Sequence, residues 1–399
     1  MLICQALTQK NRCILADKNI YLIQERELST KFGGLAVKNK NRIAILTGGG
    51  DCPGINAVIR AVAKKAILEK GLEVIGLEDG YEGMIHNRYR RLQFNDVSGI
   101  ITLGGTILGT SNTANPYRYA EKKDGTLEFK DVSQIAIDNV NKMEIDCLVC
   151  IGGDGTLSIA NRLCKDGVPV IGIPKTIDND LRGTEITFGF DSAVSIAAEG
   201  VDRLHSTAQS HHRIMVIEVM GRNAGWIALH AGVAGGGDII LLPEIPYNVD
   251  IVAEKVKERS RTGKRFSIIV VSEGAKAADG DFVIQRIVKE STDPVRYGGV
   301  GFVLGSKIEE LTGIETRTVV LGHLQRGGTP TPFDRVLATR LGTKVIDMVK
   351  DEKFGYMAGV YCNALVEVPL EEVARGQRTV PLNDPLLQSA RSVGTSFGD

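Results

Sequence analysis

Asp178 and Asp180 stand two residues apart in Pro174-Lys175-Thr176-Ile177-Asp178-Asn179-Asp180. In an extended segment alternate residues face the same way, so this spacing predicts paired carboxylates beside a hydroxyl and an ammonium. For phosphoryl transfer to a sugar alcohol, one carboxylate can accept the hydroxyl proton while the other supports a metal or orients the base. The same residues also suit an Asx-rich surface turn, and this stretch alone does not decide between the two. Upstream, Gly152-Gly153-Asp154-Gly155-Thr156 follows the apolar run IDCLVCI and opens a helical pattern. Such glycines let a nucleotide's phosphates approach the backbone. Asp154 beside them is a candidate Mg²⁺ ligand, directly or through water, because Mg²⁺ prefers oxygen ligands and keeps several waters. Its plain alternative is a helix N-cap. At Gly155 a side chain would fill the space that the ligand's next phosphate needs.

Two further glycine turns and a scatter of basic residues fit the same chemistry. Gly48-Gly49-Gly50-Asp51-Cys52-Pro53-Gly54 joins the strand-like RIAILT to a helix whose Ile55, Val58, Ile59, Val62, Ala66 and Ile67 share one face. Strand, glycine loop and helix N-terminus together predict outward amides and a favourable dipole for an anion. The loop lacks the Lys-Ser/Thr ending of a P-loop and the spacing of a dinucleotide fingerprint, so a simple tight turn remains open. Gly104-Gly105-Thr106-Ile107-Leu108-Gly109-Thr110 is a second such turn. Downstream, Arg213, the run Met220-Gly221-Arg222-Asn223-Ala224-Gly225, Arg317, His323 and Arg326 suit a sugar phosphate, with Arg as a bidentate clamp. Each Arg alone reads equally as a solvated surface group. Glu273, ending FSIIVVSE, suits sugar hydroxyls or a plain surface position.

The elements that must position these residues alternate regularly. Strands are expected at 213–219, 238–242 and 266–272, helices at 191–205, 223–233 and 250–261. After these come a helix near 302–312, the strand RTVVLG and a helix from Phe333. Such alternation predicts mostly parallel sheets covered on both faces, and 399 residues suffice for two such lobes. Lys plus Arg equals Asp plus Glu at 48 each, which leaves no global field for nucleic acid or an anionic membrane. No apolar run reaches membrane-spanning length and no signal peptide is legible, so a soluble cytoplasmic chain is expected. Seven cysteines without framework spacing suit reduced thiols. Cys147 and Cys150 form a CxxC within a strand, where residues three apart face opposite ways, and read as packing. Residues 1–40 read as an extension ahead of the first strong strand.

Over about Arg42 to Arg335 the chain resembles the phosphofructokinase family. GGGDCPGINAVIR, GGTILG, GGDGT, PKTIDND, EVMGRNAGWIA and LGHLQRGG occur in the family's order. The resemblance implies two Rossmann-like three-layer α/β lobes with the active site in the cleft between them. One lobe would take residues 41–190 plus about 325–375 and bind nucleotide. The other would take 191–324 plus the C-terminal segment and bind sugar phosphate. It implies ATP and Mg²⁺ acting on fructose 6-phosphate to give fructose 1,6-bisphosphate in glycolysis. Asp178 would be the base, Asp180 its supporting carboxylate, Thr176 a contact to the transferred group and Arg222 the transition-state stabiliser. Fructose 6-phosphate would meet Met220, Gly221, Arg222, Glu273, His323 and Arg326, with Arg213 and Arg317 reaching in from a neighbouring subunit of a homotetramer. ATP would lie along Gly50, Gly105, Thr106, Gly153, Asp154, Gly155, Thr156 and Lys175, with Asp154 at the Mg²⁺. Arg60, Arg88 and Lys264 match a bacterial effector pocket, where His205 replaces a frequent Arg.

Two departures bear on the donor. ATP-using members usually carry Arg near position 112, where this chain has Asn112, so Lys175 or Arg118 would have to supply that charge. Lys175 resembles pyrophosphate users, whereas Gly155 resembles ATP users, because pyrophosphate users place Asp there. ATP is favoured on steric grounds, since an Asp at 155 would exclude it and Gly excludes nothing. The alternatives are pyrophosphate-dependent phosphotransfer and a non-catalytic regulatory or metabolite-sensing subunit. Lipid and NAD kinases share GGDGT without PKTIDND or EVMGR.

Overall fold

The computed structural model describes residues 42–123, 126–290 and 294–399, so the expected extension at residues 1–40 lies outside it. β1 (Arg42–Thr47), α1 (Ile55–Lys70) and β2 (Glu73–Leu77) begin a βαβ pattern. Next come α2 (Tyr81–His86), β3 (Tyr89–Arg91) and the hairpin β4 (Tyr119–Lys123) and β5 (Thr126–Lys130). α3 (Ser133–Lys142), β6 (Cys147–Gly152), α4 (Asp154–Lys165) and β7 (Val170–Pro174) complete the first run. A second run comprises α5 (Phe190–His211), β8 (Ile214–Val219), α6 (Trp226–Ala234), β9 (Ile239–Leu241), α7 (Val249–Arg261) and β10 (Ser267–Ser272). It continues through β11 (Ile284–Ile287), β12 (Val295–Tyr297), α8 (Val300–Thr312) and β13 (Thr316–Val320). α9 (Pro332–Lys350), β14 (Tyr356–Tyr361), β15 (Ala364–Pro369), α10 (Leu370–Val373) and α11 (Pro385–Ser392) close the chain.

Two sheets result. The larger has seven strands in the order β15-β14-β7-β6-β1-β2-β3, parallel except at its two edges, and the smaller has four parallel strands in the order β13-β8-β10-β9. The antiparallel edges and the hairpins are absent from the sequence reading; β3 and β5 are short, exposed strands with no apolar period. α6 begins at Trp226, not 223, because the preceding residues form a turn closed by Ala224 N–H on the Gly221 carbonyl at 2.9 Å. Among the described residues no helix is long and apolar enough to cross a membrane.

Strand parity sets the layers. Ile43 and Ile45 of β1 and Cys147, Val149 and Ile151 of β6 face a central apolar layer, which also receives Met215 and Ile217 of β8 and Ile268 and Val270 of β10. α1, α5, α6 and α9 fill this layer through Val58, Ala197, Ile227 and Leu341 among others. Alternate residues, Ala44 and Leu148 on one sheet and Val216 and Ile269 on the other, face two separate outer layers. Cys147 and Cys150 accordingly lie on opposite faces of β6, both buried. The two lobes thus share one core. In the larger sheet the strand order reverses at β1, and in the smaller at β8, so loops after these strands open the crevices where such sheets hold ligands.

Candidate active site

The first wall is built by loops after β1, β6 and β7. In the loop after β1, Gly48 N–H donates to the Ile151 carbonyl at 3.0 Å and Gly49 N–H to Ser111 at 3.1 Å, so these two amides hold the loop and do not point outward as expected. The GGTILG turn is fastened to it: Asn56 Nδ2 donates to the Leu103 and Gly104 carbonyls at 3.1 and 3.2 Å, and Asn56 Oδ1 accepts from Ile107 N–H at 2.8 Å. Thr47 and Thr110 hydroxyls donate to the Gly109 and Gly49 carbonyls, each at 2.6 Å. Gly105 and Thr106 are placed by these bonds. Nothing in the sequence marked Asn56, Thr47 or Thr110.

At GGDGT the N-cap is Gly153, with no side-chain cap, and Asp154 is the first residue of α4. Asp154 is therefore not the N-cap that the sequence left open. Asp154 and Gly155 are half-buried in that first turn. Thr156 is buried between two glycines: a Cβ on Gly48 would lie 2.7 Å from its Oγ1, and one on Gly152 2.2 Å from its Cβ. Its side chain packs these two loops together.

PKTIDND is not extended. The chain bends at Ile177 and Asp178, and Asn179 takes a left-handed conformation at φ 52°, so the alternation argument fails here. Asn179 is held there by Thr187 N–H on its Oδ1 at 3.1 Å and by the Arg378 guanidinium on its carbonyl at 2.8 Å. The bend still buries both carboxylates together. Asp178 Oδ1 is buried without a hydrogen-bond partner, and its backbone N–H donates to Thr176 Oγ1 at 3.1 Å. Asp180 Oδ2 accepts from Gln377 Nε2 at 2.8 Å. Burial first, then the charges of Asp178 and Asp154, push the Asp180 carboxyl up to about 7, with Arg222 opposing. Lys175 is buried with its ammonium on the Gly50 carbonyl, and burial lowers its pKa.

The second wall comes from the smaller sheet. After β8, Gly221 and Arg222 take φ of 142° and 49°. Gly274 makes this bend fit, because a Cβ there would lie 1.7 Å from the Arg222 carbonyl oxygen. Arg222 N–H donates to Glu273 Oε1 at 3.2 Å, and its guanidinium reaches the Val295 carbonyl at 3.5 Å. Burial and then the Asp178 charge raise Glu273 to about 7. Met220 is buried at the strand end. After β13, His323 is exposed in a short turn, while Arg326 Nη1 donates to the Asp51 carbonyl at 3.0 Å and lies where a Cβ on Gly50 would collide with it. The two walls therefore meet: Asp154, Asp178, Asp180, Lys175, Arg222, Glu273 and Arg326 converge.

Arg213 and Arg317 do not join them. Both bind Glu315 at the opposite ends of β8 and β13. Six strand residues separate Arg213 from that cluster, about 20 Å at roughly 3.3 Å per residue. Arg60 and Arg88 lie beside the larger sheet and Lys264 after α7 beside the smaller; Arg88 pairs with Asp79 at 3.0 Å, and His205 Nε2 meets the Gly235 carbonyl at 2.6 Å. Arg118 stacks on Phe129 at 3.8 Å.

The donor set fits one hard cation. Three carboxylates share a desolvated wall, one with an orphaned oxygen and one driven toward protonation, and a cation would relieve both. Among the described residues no group of three His, Cys, Asp or Glu could cage a metal alone. Mg²⁺ does not need one, since one or two carboxylates plus substrate phosphates suffice. Asp180 also carries a stability consequence. Its folded pKa lies above its unfolded 3.8, so the folded state holds the extra proton between about pH 4 and 7, and stability falls as pH rises through that window. Asp180→Asn should therefore melt a few degrees higher than the parent at pH 8, and the gap should close toward pH 4. A variant melting below the parent at pH 8 would contradict the buried charge.

Comparison with known proteins agrees with this geometry. A family model described as phosphofructokinase matches residues 42–349. The chain is 51% identical over 360 residues to ATP-dependent 6-phosphofructokinase 2 of Clostridium perfringens, covering 90% of this chain and 98% of that one. It is 50% identical over 342 residues to a pyrophosphate–fructose 6-phosphate 1-phosphotransferase of Amycolatopsis mediterranei, covering 86% and 96%. The T-state structure of Pichia pastoris phosphofructokinase superposes with a TM-score of 0.72 at 31% identity, over 85% of this chain and 36% of that longer one. With six motifs on one crevice and a family model spanning most of its length, the chain belongs to the phosphofructokinase family.

Proposed function

We propose that this chain is an ATP-dependent 6-phosphofructokinase, transferring the γ-phosphoryl group of ATP to the 1-hydroxyl of fructose 6-phosphate. The observation that carries the reading is the orphaned, buried Asp178 Oδ1 beside Asp180, at the meeting of the two walls. Asp178 takes the hydroxyl proton, because its free oxygen is an acceptor with no competing donor. Asp180 sits behind it as the second carboxylate, and Thr176 contacts the transferred group. Arg222, projecting from the opposite wall, stabilises the charge on that group. Met220, Gly221, Glu273, His323 and Arg326 hold the sugar phosphate. Asp154 would hold Mg²⁺, which when bound neutralises charge on the donor phosphates.

Arg213 and Arg317, paired with Glu315 away from this cluster, serve the site of a neighbouring subunit, which makes the working unit a homo-oligomer, a tetramer in this reading. Arg60, Arg88 and Lys264 then belong to an effector pocket between subunits. The lobes would divide as 41–190 plus about 325–375 for nucleotide and 191–324 plus the C-terminal segment for sugar phosphate, and the enzyme would act in the cytoplasm.

A second reading, pyrophosphate as donor, is favoured by Lys175 and by the Amycolatopsis relative. Against it, the Lys175 ammonium is engaged by the Gly50 carbonyl, and position 155, a glycine, has no side chain to fill the space of a next phosphate. Initial rates with fructose 6-phosphate and Mg²⁺ decide: ATP should support turnover at least about 10²-fold faster than pyrophosphate, a difference of roughly 2.7 kcal/mol in the barrier. Faster turnover with pyrophosphate would reverse the assignment.

A further inference from the structure

Against Arg222 lies a segment that the reaction described so far does not use, the hairpin of β11 and β12 between Glu273 and α8. Its strands pair Ile284 with Tyr297, Arg286 with Arg296 and Ile287 with Val295. Its base is fixed from several sides. Gly298 N–H donates to the Val283 carbonyl at 3.3 Å, and Gly299 and Gly301 N–H donate to the Glu218 carboxylate at 2.9 and 2.8 Å. Glu218 is buried in β8, the strand that leads into the Arg222 loop. Ala278 N–H donates to the Tyr247 carbonyl at 2.8 Å, and Tyr247 N–H to the Lys276 carbonyl at 3.1 Å. Two guanidinium groups meet on this frame. The Val295 carbonyl accepts from Arg222 Nη2 at 3.5 Å and from Arg296 Nη1 at 3.2 Å. The two nitrogens therefore stand within about 7 Å of each other, inside the span of one bound sugar phosphate, and each can trade a neutral carbonyl for a stronger, charge-assisted bond.

We infer that Arg296 is a further substrate-binding residue, a second guanidinium beside Arg222 that takes the 6-phosphate of the sugar. The inference rests on the function proposed above. The hairpin follows Glu273 in the chain and is tied through Glu218 to β8, so Arg296 belongs to the sugar-side wall and not to the glycine loops where the donor would lie. With the 1-hydroxyl at Asp178 and Arg222 on the transferred group, the sugar's own phosphate, at the far end of the molecule, needs cations of its own on that wall. Arg326 is engaged by the Asp51 carbonyl, and Arg213 and Arg317 are bound to Glu315 away from the cluster. Arg296, half-buried on β12, presents a planar fork there, the shape that suits a phosphate. Its place opposite Arg286 also argues against a packing role, since like charges facing each other across a hairpin weaken it.

The test measures kcat and KM of the full chain with Mg²⁺, fructose 6-phosphate and whichever donor supports turnover, for Arg296→Gln, Arg296→Lys and Arg286→Gln, beside a melting curve for each. Arg296→Gln should raise the KM for fructose 6-phosphate about 10- to 30-fold, with kcat and the donor KM within about twofold of the parent, the pattern of lost uniform binding. Arg296→Lys keeps the charge without the fork and should raise that KM by less, about three- to fivefold. Arg286→Gln removes an exposed charge from the facing strand and should leave every constant within about twofold. A folded Arg296→Gln with the parental KM for fructose 6-phosphate overturns the inference. So does a fall in kcat at unchanged KM, which would set Arg296 on the transferred group, or an equal rise from Arg286→Gln, which would mark a general field and not a contact. Should Arg296→Gln fail to fold, Arg296→Lys decides by the same KM, and a parental value there overturns the inference equally. A parent inactive with both ATP and pyrophosphate would sink the proposed function and the inference with it, whereas an active parent with an unaffected Arg296→Gln removes the Arg296 role alone.

Discussion

Asp178→Ser is expected to lower kcat by about 10²- to 10⁴-fold, the usual span for a general base, with a smaller change in the KM for fructose 6-phosphate. The expectation follows from what the carboxylate lacks. A buried acceptor oxygen with no donor is costly, and at the proposed reaction centre a substrate proton to receive would account for this one. The neighbouring groups have other employment: Asp180 is bonded to Gln377 and Glu273 to the Arg222 amide. Serine keeps a polar atom in the place and cannot serve as the base at neutral pH. Stopped-time assays at saturating substrates measure the effect. Near-parental kcat would remove Asp178 from the role and turn attention to Asp180.

Gly155→Asp is expected to depress kcat/KM for ATP on the order of 10²- to 10³-fold, taking about 4 kcal/mol for two like charges roughly 4 Å apart at an effective dielectric of 20. The variant should fold. Position 155 is helical, and an acidic residue in a helix's first turn is favourable, as Asp154 already illustrates. What changes is the wall: a fourth carboxylate joins the half-buried Asp154 and the buried Asp178 and Asp180 where the proposed donor phosphates would lie. Pyrophosphate, lacking the α-phosphate and the nucleoside, should suffer less. Unchanged kinetics with ATP would end the steric argument for the donor.

Much of this was legible in the sequence, because apolar runs and glycine turns report directly on strands and their ends. PKTIDND, GGDGT and EVMGR were placed at strand ends, and the structure brings those ends together. Strand parity pairs Asp178 with Asp180 only in an extended segment, whereas in the folded chain a left-handed Asn179 held by Arg378 buries them together. The outward amides expected at Gly48 and Gly49 are spent on Ile151 and Ser111, since a loop must satisfy its own backbone before it can serve a ligand. Gln377 could not have been found by pattern. It lies 197 residues from Asp180 in a stretch without apolar period, and only the folded chain makes them neighbours.

The apolar layer shared by both sheets has a further consequence for how such an enzyme can be divided. Cutting the chain between its halves would leave each with one face of its sheet bare, since Ile43, Ile45 and Val149 on one side and Met215, Ile217 and Val270 on the other line the same layer. Neither half is an independent folding unit, and melting should proceed as a single cooperative event. Recombination by swapping whole lobes between relatives would have to preserve this seam, residue volume for residue volume. The loops at the strand ends lie outside this seam and are constrained by their own local packing, as Thr156 between Gly48 and Gly152 shows, so a position such as Gly155 can change while the frame stays as it is.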